Sequence, residues 1–182
     1  MPATIDLKFI LIQIIGLIGA GIYFLSYQFK DNKKLFKVQF FSYICYTIHF
    51  VCLGAITGAL SNAINLFRSY FLSSNNEKLH SKWACGFIIS LLILVCIFTW
   101  KGSISLLPVI GNAAVTIGGY SHSEKKLRLA MLFINAPAWI TYDVIVRSWA
   151  GVFDETLTLI AVIVSIIRLG WNNLDKKEDI IK

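Results

Sequence analysis

The sequence predicts an all-α integral membrane protein of seven transmembrane helices, ordered as two parallel three-helix repeats with a linker helix between them. Three observations lead there. The chain of 182 residues is 57% hydrophobic and only 15% charged, too little charge to cover a water-soluble surface. Its apolar runs are about as long as a bilayer core requires, and short basic connections separate them. At an offset of 92 residues, Lys33-Lys34-Leu35 falls on Lys125-Lys126-Leu127, each opening a long apolar run, the mark of an internal repeat.

Span one, residues 9–28, is longer than the core of a signal peptide and lacks a small-x-small cleavage pattern, so it reads as a spanning helix. Gly16, Gly19, Ala20 and Gly21 let a neighbouring backbone approach it closely. Span two, residues 38–53, is aromatic, with Tyr43, Tyr46 and His49 as its polar groups. Span three, residues 59–72, carries Asn62, Asn65 and Arg68, the arginine placed to snorkel toward the nearer surface as a membrane anchor. Span four, residues 83–100, is apolar between two tryptophans about 26 Å apart along a helix, and reads as a lipid-facing linker. Span five, residues 103–120, is rich in Gly, Ala, Asn112 and Pro108 and should be buried among other helices. Span six begins at the basic cluster Lys125, Lys126 and Arg128, carries Asn135, Pro137, Trp139, Tyr142 and Asp143, and runs to about residue 146. A short turn with Trp149, Gly151, Asp154 and Glu155 is expected next. Span seven, residues 156–171, ends the second repeat at Arg168, read as a second anchor, and residues 172–182 form a polar tail.

These boundaries make one membrane domain of residues 1–182, with repeats over 9–72 and 103–171 and a linker over 83–100. Seven spans put fourteen of the seventeen Lys and Arg residues on one side and only Lys8, Lys101 and Arg147 on the other. The positive-inside rule then places the N-terminus outside and the C-terminus in the cytoplasm. Scattered over connections, the net charge of +7 is an orientation signal rather than a nucleic-acid footprint. Cys45, Cys52, Cys85 and Cys96 all lie in apolar runs without disulfide or metal spacing, so no metal and no cofactor are expected.

At the same offset Gly16-Leu17-Ile18-Gly19 falls on Pro108-Val109-Ile110-Gly111, and after an insertion near Trp149 the third helices align Asn65 to Arg68 with Ser165 to Arg168. The stretch Leu106-Leu107-Pro108-Val109-Ile110-Gly111, the Trp149-Ala150-Gly151 turn, the Asn-x-x-Arg spacing at Asn65 and Arg68, and Ile166-Ile167-Arg168 resemble bacterial inner-membrane proteins of the YgjV type. That group is placed in the wider clan of SWEET, SemiSWEET and PQ-loop membrane proteins. The resemblance implies a SWEET-like bundle in the bacterial inner (plasma) membrane and carriage of a small solute. Two departures stand beside it: Pro108 and Pro137 occur only in the second copy, and the Pro-Gln pair of the PQ-loop group is absent.

Counted from the helix ends, Asn65, Asn112, Asn135 and Ser165 lie about 10 to 15 Å from a boundary, near the bilayer middle. Amides there both donate and accept, which suits a small neutral polar solute, with Trp139 or Tyr43 stacking on it. By analogy with SWEET-like pockets, His49 and Tyr142 join the candidate binding residues. The alternative is that these amides only bond neighbouring helices. His49 reads as a packing residue before a switch, and Asp143 as a surface partner of Arg147 before a proton carrier. Pro108 and Pro137 are either hinges or fixed kinks. No Ser-His-Asp set, metal spacing or paired carboxylates lies at one depth, so the chain is not expected to be an enzyme. The functions in contention are a carrier working by alternating access and a non-transporting structural or regulatory membrane protein. The partners expected are the lipid bilayer and a small solute, not nucleic acid; association into a homo-oligomer is left open.

Overall fold

The computed structural model describes residues 7–175, and among these the regular structure is entirely helical. Seven main helices come in order: α1 (Leu7–Ser26), α2 (Asn32–Cys52), α3 (Ile56–Ser73), α4 (Lys82–Phe98), α5 (Leu106–Tyr120), α6 (Glu124–Val146) and α7 (Trp149–Leu169). Short 3-10 turns at Glu77–His80, Ser103–Ser105 and Trp171–Asn173 punctuate the connections. Among the described residues, α1, α2, α6, α7 and the stretch Ser103–Tyr120 containing α5 are long and apolar enough to cross a membrane. The apolar α4 is only 17 residues long, and α3 interrupts its apolar residues with Asn62, Asn65 and Arg68.

Local chemistry sets the ends. Asp31 caps α2 by accepting from the Lys33 amide at 3.0 Å, Ser81 caps α4, Ser123 caps α6, and Ser148 caps α7 by accepting from the Gly151 amide at 3.2 Å. These caps explain the main boundary shifts. Lys33, Lys34 and Lys37 lie on the first turns of α2 rather than in a loop, and Asp154 and Glu155 lie on α7 rather than in a turn before it. Pro108 falls in the first turn of α5, where a missing N–H breaks no helical bond. Pro137 comes just after a π-helical turn, Met131–Asn135, closed by the Ala136 amide on the Met131 carbonyl. The extra residue in that turn rotates the remainder of the helix, so that Asn135, Trp139 and Asp143 share the buried face of α6.

The helices close a ring. α1 packs on α2, α2 on α3, α3 on α5, α5 on α6, α6 on α7, and α7 back on α1, while α4 sits outside against α3 and α5. Small residues permit the close approaches: a Cβ on Gly118 would stand 2.9 Å from the Leu127 Cα, and one on Gly119 2.8 Å from Leu72. Ile88, Leu92 and Cys96 of α4 form their own apolar contact with Ile64 and Val109. The distribution of side chains is inverted relative to a water-soluble protein. Trp83, Phe98, Phe133 and Ile167 are among the most exposed residues, whereas Arg68, Arg128, Gln39, Asp143 and Asp154 are buried. Arg68, expected as a snorkelling anchor, is instead fully enclosed, because its guanidinium finds hydroxyl and carbonyl partners inside the ring. Arg68 and Arg128 are therefore interior groups rather than connection charges. The tail charges Lys176, Lys177 and Lys182 lie outside the described residues.

At the basic end Asp175 ties the segment after α7 to the start of α6. Its carboxylate accepts from the Ser123 hydroxyl at 3.1 Å and from the Lys125 amide at 3.3 Å. Partial burial pushes its pKa up, but these donors and the nearby Lys125 charge outweigh that and hold it below the usual aspartate value. A depressed folded pKa gives stability that is present above the unfolded value and lost as pH falls through the folded one. Asp175→Asn should therefore cost less than about 1 kcal/mol at neutral pH, given its exposure, and the difference from wild type should vanish on acidification. Thermal unfolding of the detergent-solubilised chain across the carboxylate range measures it.

Candidate functional site

The ring encloses a cavity to which every one of its six helices contributes and α4 does not. Tyr23 comes from α1, Tyr43, Tyr46 and Phe50 from α2, Asn62 and Asn65 from α3, and Asn112 from α5. Asn135, Trp139 and Asp143 come from α6, and Gly151, Asp154 and Glu155 from α7. The space open to water-sized spheres is about 20 Å³, room for about one water molecule.

One donor orients the middle of this cavity. The Trp139 indole N–H, which can only donate, lies 3.2 Å from Asn112 Oδ1. That contact fixes which end of the Asn112 amide is oxygen, and Asn65 must then donate through its own Nδ2 to the same oxygen, at 2.9 Å. Asn65 Oδ1 and Asn112 Nδ2 are left buried without partners. Nearby, Arg68 donates through Nη2 to the Tyr43 hydroxyl at 2.6 Å and through Nη1 to the Asn112 carbonyl at 3.3 Å and Thr116 Oγ1 at 3.4 Å. Tyr43 in turn shares a 3.2 Å hydrogen bond with Tyr23.

Nearer the other end are three carboxylates. Asp143, Asp154 and Glu155 are 1%, 4% and 7% exposed, and each has an oxygen without a hydrogen-bond partner. The expected surface pair of Asp143 with Arg147 is not formed. Arg147 is the exposed left-handed cap of α6 at φ 57°, while Asp143 turns inward against Gly151, where even a methyl group would overlap its carboxylate. Counted along α6 and α7, the carboxylates lie about 5 to 9 Å from the helix ends and Asn135 about 17 Å from the end of α6.

Of the expected binding residues, Asn65, Asn112, Asn135, Trp139 and Tyr43 meet at this cavity, and Ser165, His49 and Tyr142 do not line it. Ser165 is instead the acceptor for Arg128 Nε and Nη2, at 3.3 and 3.2 Å. His49 spends both ring nitrogens on packing, 2.8 Å from the Ile12 carbonyl and 2.9 Å from Ser148 Oγ. Tyr142 forms a partition. Its hydroxyl accepts from the Gly58 amide at 2.9 Å, its ring packs against Trp139 and Phe50, and its outer side lines a vestibule of about 240 Å³ with Leu53, Ile56, Lys101 and Val146. At the opposite end a second vestibule of about 190 Å³ lies among Asp31, Lys33, Phe36, Leu72, His80, His122 and Glu124. Besides Asp143, read as a surface partner, the lining residues that sequence reading misses are Tyr23, Tyr46, Phe50, Asn62, Gly151 and the acids Asp154 and Glu155. The signal for the two acids is the Ser148 cap, which starts the last helix early enough to carry both inside.

A family model described as bacterial inner membrane protein, Imp-YgjV, matches residues 10–173. The chain belongs to this family. Its membership agrees with the lipid-like exterior and apolar helices, and makes the chain a multi-pass protein of the bacterial inner membrane. No curated protein and no solved structure gives a significant match.

Trp139→Phe keeps the ring packing but removes the donor that orients both amides. Loss of a buried hydrogen bond should cost about 1 kcal/mol, and it frees Asn112 to turn over. Thermal unfolding reads the cost; unchanged stability would show that the indole does not hold Asn112.

Proposed function

We propose that this family member is a small-solute carrier working by alternating access between two helix triplets, α1–α3 and α5–α7, joined by α4 as a linker. The observation that carries the reading is a closed six-helix ring around a polar cavity, with a vestibule at each end and no contribution from α4. Six unpartnered polar atoms from five helices line this one space, and each costs free energy to bury unless an occupant meets it. The sequence repeat supports the 3+1+3 connectivity with like-oriented triplets, and the basic bias supports an N-terminus outside. A space of about 20 Å³ corresponds to an occluded state, closed on one side by Tyr142 with Phe50 and Trp139 and on the other by the Arg68–Tyr43 contact.

Asn65, Asn112 and Asn135 supply the donors and acceptors for a small neutral polar solute, and Trp139 and Tyr43 the aromatic walls. The π turn before Pro137 is the place where α6 can bend, because a helix already missing its regular bonds there loses little on flexing. Pro108, at a helix start, serves as a fixed geometric feature. No catalytic role is proposed for any residue, and the solute, not a second macromolecule, is the partner.

Proteoliposomes holding the purified chain should accumulate one or more members of a panel of small labelled polyols, amides and sugars above empty vesicles. Asn65→Leu should lower that flux about tenfold or more while leaving the unfolding midpoint within a few degrees. Tyr142→Ala, which removes the partition, should raise the labelling of a cysteine placed at Asn112 by water-soluble thiol reagents. An inert panel together with an unreactive cysteine in both backgrounds would favour the structural or regulatory alternative.

A further inference from the structure

The cavity wall is unbalanced in hydrogen-bonding character. Because Trp139 fixes Asn112 and thereby Asn65, the unpartnered atoms can be sorted into donors and acceptors. Asn65 Oδ1, Asp143 Oδ1, Asp154 Oδ1 and Glu155 Oε2 are acceptor oxygens whenever the acids are ionised. Asn112 Nδ2 is a donor, and the Tyr46 hydroxyl can act either way. Tyr46 and Asn65, at 5% and 1% exposure, are buried polar side chains with unpartnered atoms at the same cavity.

Among the described residues, no Lys, Arg or His lines it. Arg68, from α3, is turned to Tyr43, Asn112 and Thr116, and His49, from α2, to Ile12 and Ser148. The other ionisable groups facing the acids are the hydroxyls of Tyr23 on α1 and Tyr43 and Tyr46 on α2; α3 and α5 present only amides. Three carboxylates in a lipid-embedded bundle cannot stay ionised together without positive charge beside them.

We propose that the Asp143, Asp154 and Glu155 end of the cavity is a cation-binding site that takes up positive charge as protons on the carboxylates or as one water-sized monovalent cation. The free space of about 20 Å³ matches such an occupant and excludes a bulky organic cation in this state. Among the described residues no three His, Cys, Asp or Glu side chains converge as metal ligands, which puts protons on the separate carboxylates ahead of one shared metal ion. Gly151 is part of the site, since any side chain there would displace the Asp143 carboxylate. The occupant sits between the amide centre and the Tyr142 partition, where its arrival or departure changes the charge next to the gate. The site shares a cavity with the solute reading but does not rest on it, because ion binding at equilibrium needs no flux.

The test uses the full-length chain purified in detergent, with thermal unfolding followed between pH 5 and pH 9 in N-methyl-D-glucamine chloride and then with sodium, potassium or ammonium chloride at constant ionic strength. The expected result is a midpoint that rises by about 5 °C or more on acidification, or at alkaline pH on adding one of the three cations. A response to acid alone assigns the occupant as the proton, and a cation response that fades on acidification assigns a metal ion or ammonium competing with it. Glu155→Gln and Asp154→Asn should raise the midpoint at high pH and flatten the response at least threefold. Should those variants fail to fold, labelling of the wild-type acids by dicyclohexylcarbodiimide, read by peptide mass spectrometry, replaces them. Labelling at one of the three should rise at least threefold on acidification or be suppressed by the stabilising cation. A wild-type midpoint indifferent to both pH and cations, neutral variants with the wild-type response, or labelling unmoved by either variable would overturn the proposal.

Discussion

A polar group buried in a lipid-embedded bundle must find its partner within the bundle, and the rest of this structure depends on how far each group succeeds. Arg68 succeeds for most of its donors, reaching a hydroxyl and a carbonyl from two other helices. Arg128 does so through Ser165 and its own helix. These contacts tie α3 to α2 and α5, and α6 to α7, giving the ring polar joints where lipid offers no hydrophobic drive for association. The carboxylates and the amide centre succeed only in part. Unpartnered polar atoms also lie elsewhere in the bundle, on Gln39, Ser61 and Thr158 among others, so what distinguishes the cavity is that six of them, from five helices, line one space.

That difference separates framework from working parts. His49, Ser165 and Arg128 are closed networks whose rearrangement would expose unsatisfied groups, so they hold the helices in register. The aromatic partition at Tyr142 is held by one hydrogen bond to a backbone amide and by ring packing, both of which can be broken and remade cheaply. The π turn in α6 ends two residues before Pro137, between the basic end and the Trp139–Asp143 face, so bending there would move the partition and one acid together. A cation arriving at the acids and a solute arriving at the amides would act on the same helix. Such sharing is the physical requirement for one binding event to influence another.

Much of this is legible in the sequence. Hydropathy gives the helices, the glycines of α1 and α5 give the tight contacts, and depth counting puts Asn65, Asn112 and Asn135 at one level. Depth counting fails for Ser165, because depth says nothing about rotation, and nothing in the sequence reveals that Arg128 claims it. It fails differently for Asp154 and Glu155. Charge near a predicted loop reads as exposed, whereas the Ser148 cap begins α7 before them and the inward face of the helix carries them in. Asp143 and Arg147 are four apart, the spacing of a helical pair, but the left-handed backbone at Arg147 ends the helix and removes that geometry. Arg68 reads as an anchor because its partners on α2 and α5 are remote in sequence.

The central claim, that the ring opens alternately around its cavity, is tested most directly by the distance across the mouth between α2 and α6. Spin labels at Leu53→Cys, which lines the vestibule beside Tyr142, and at Arg147→Cys, next to Val146 of the same wall, would span it once the four native cysteines are replaced. In reconstituted bilayers the pulsed electron resonance distribution should contain two separated populations whose ratio shifts with pH or with added solute. One narrow distance that stays fixed under every condition would contradict the account.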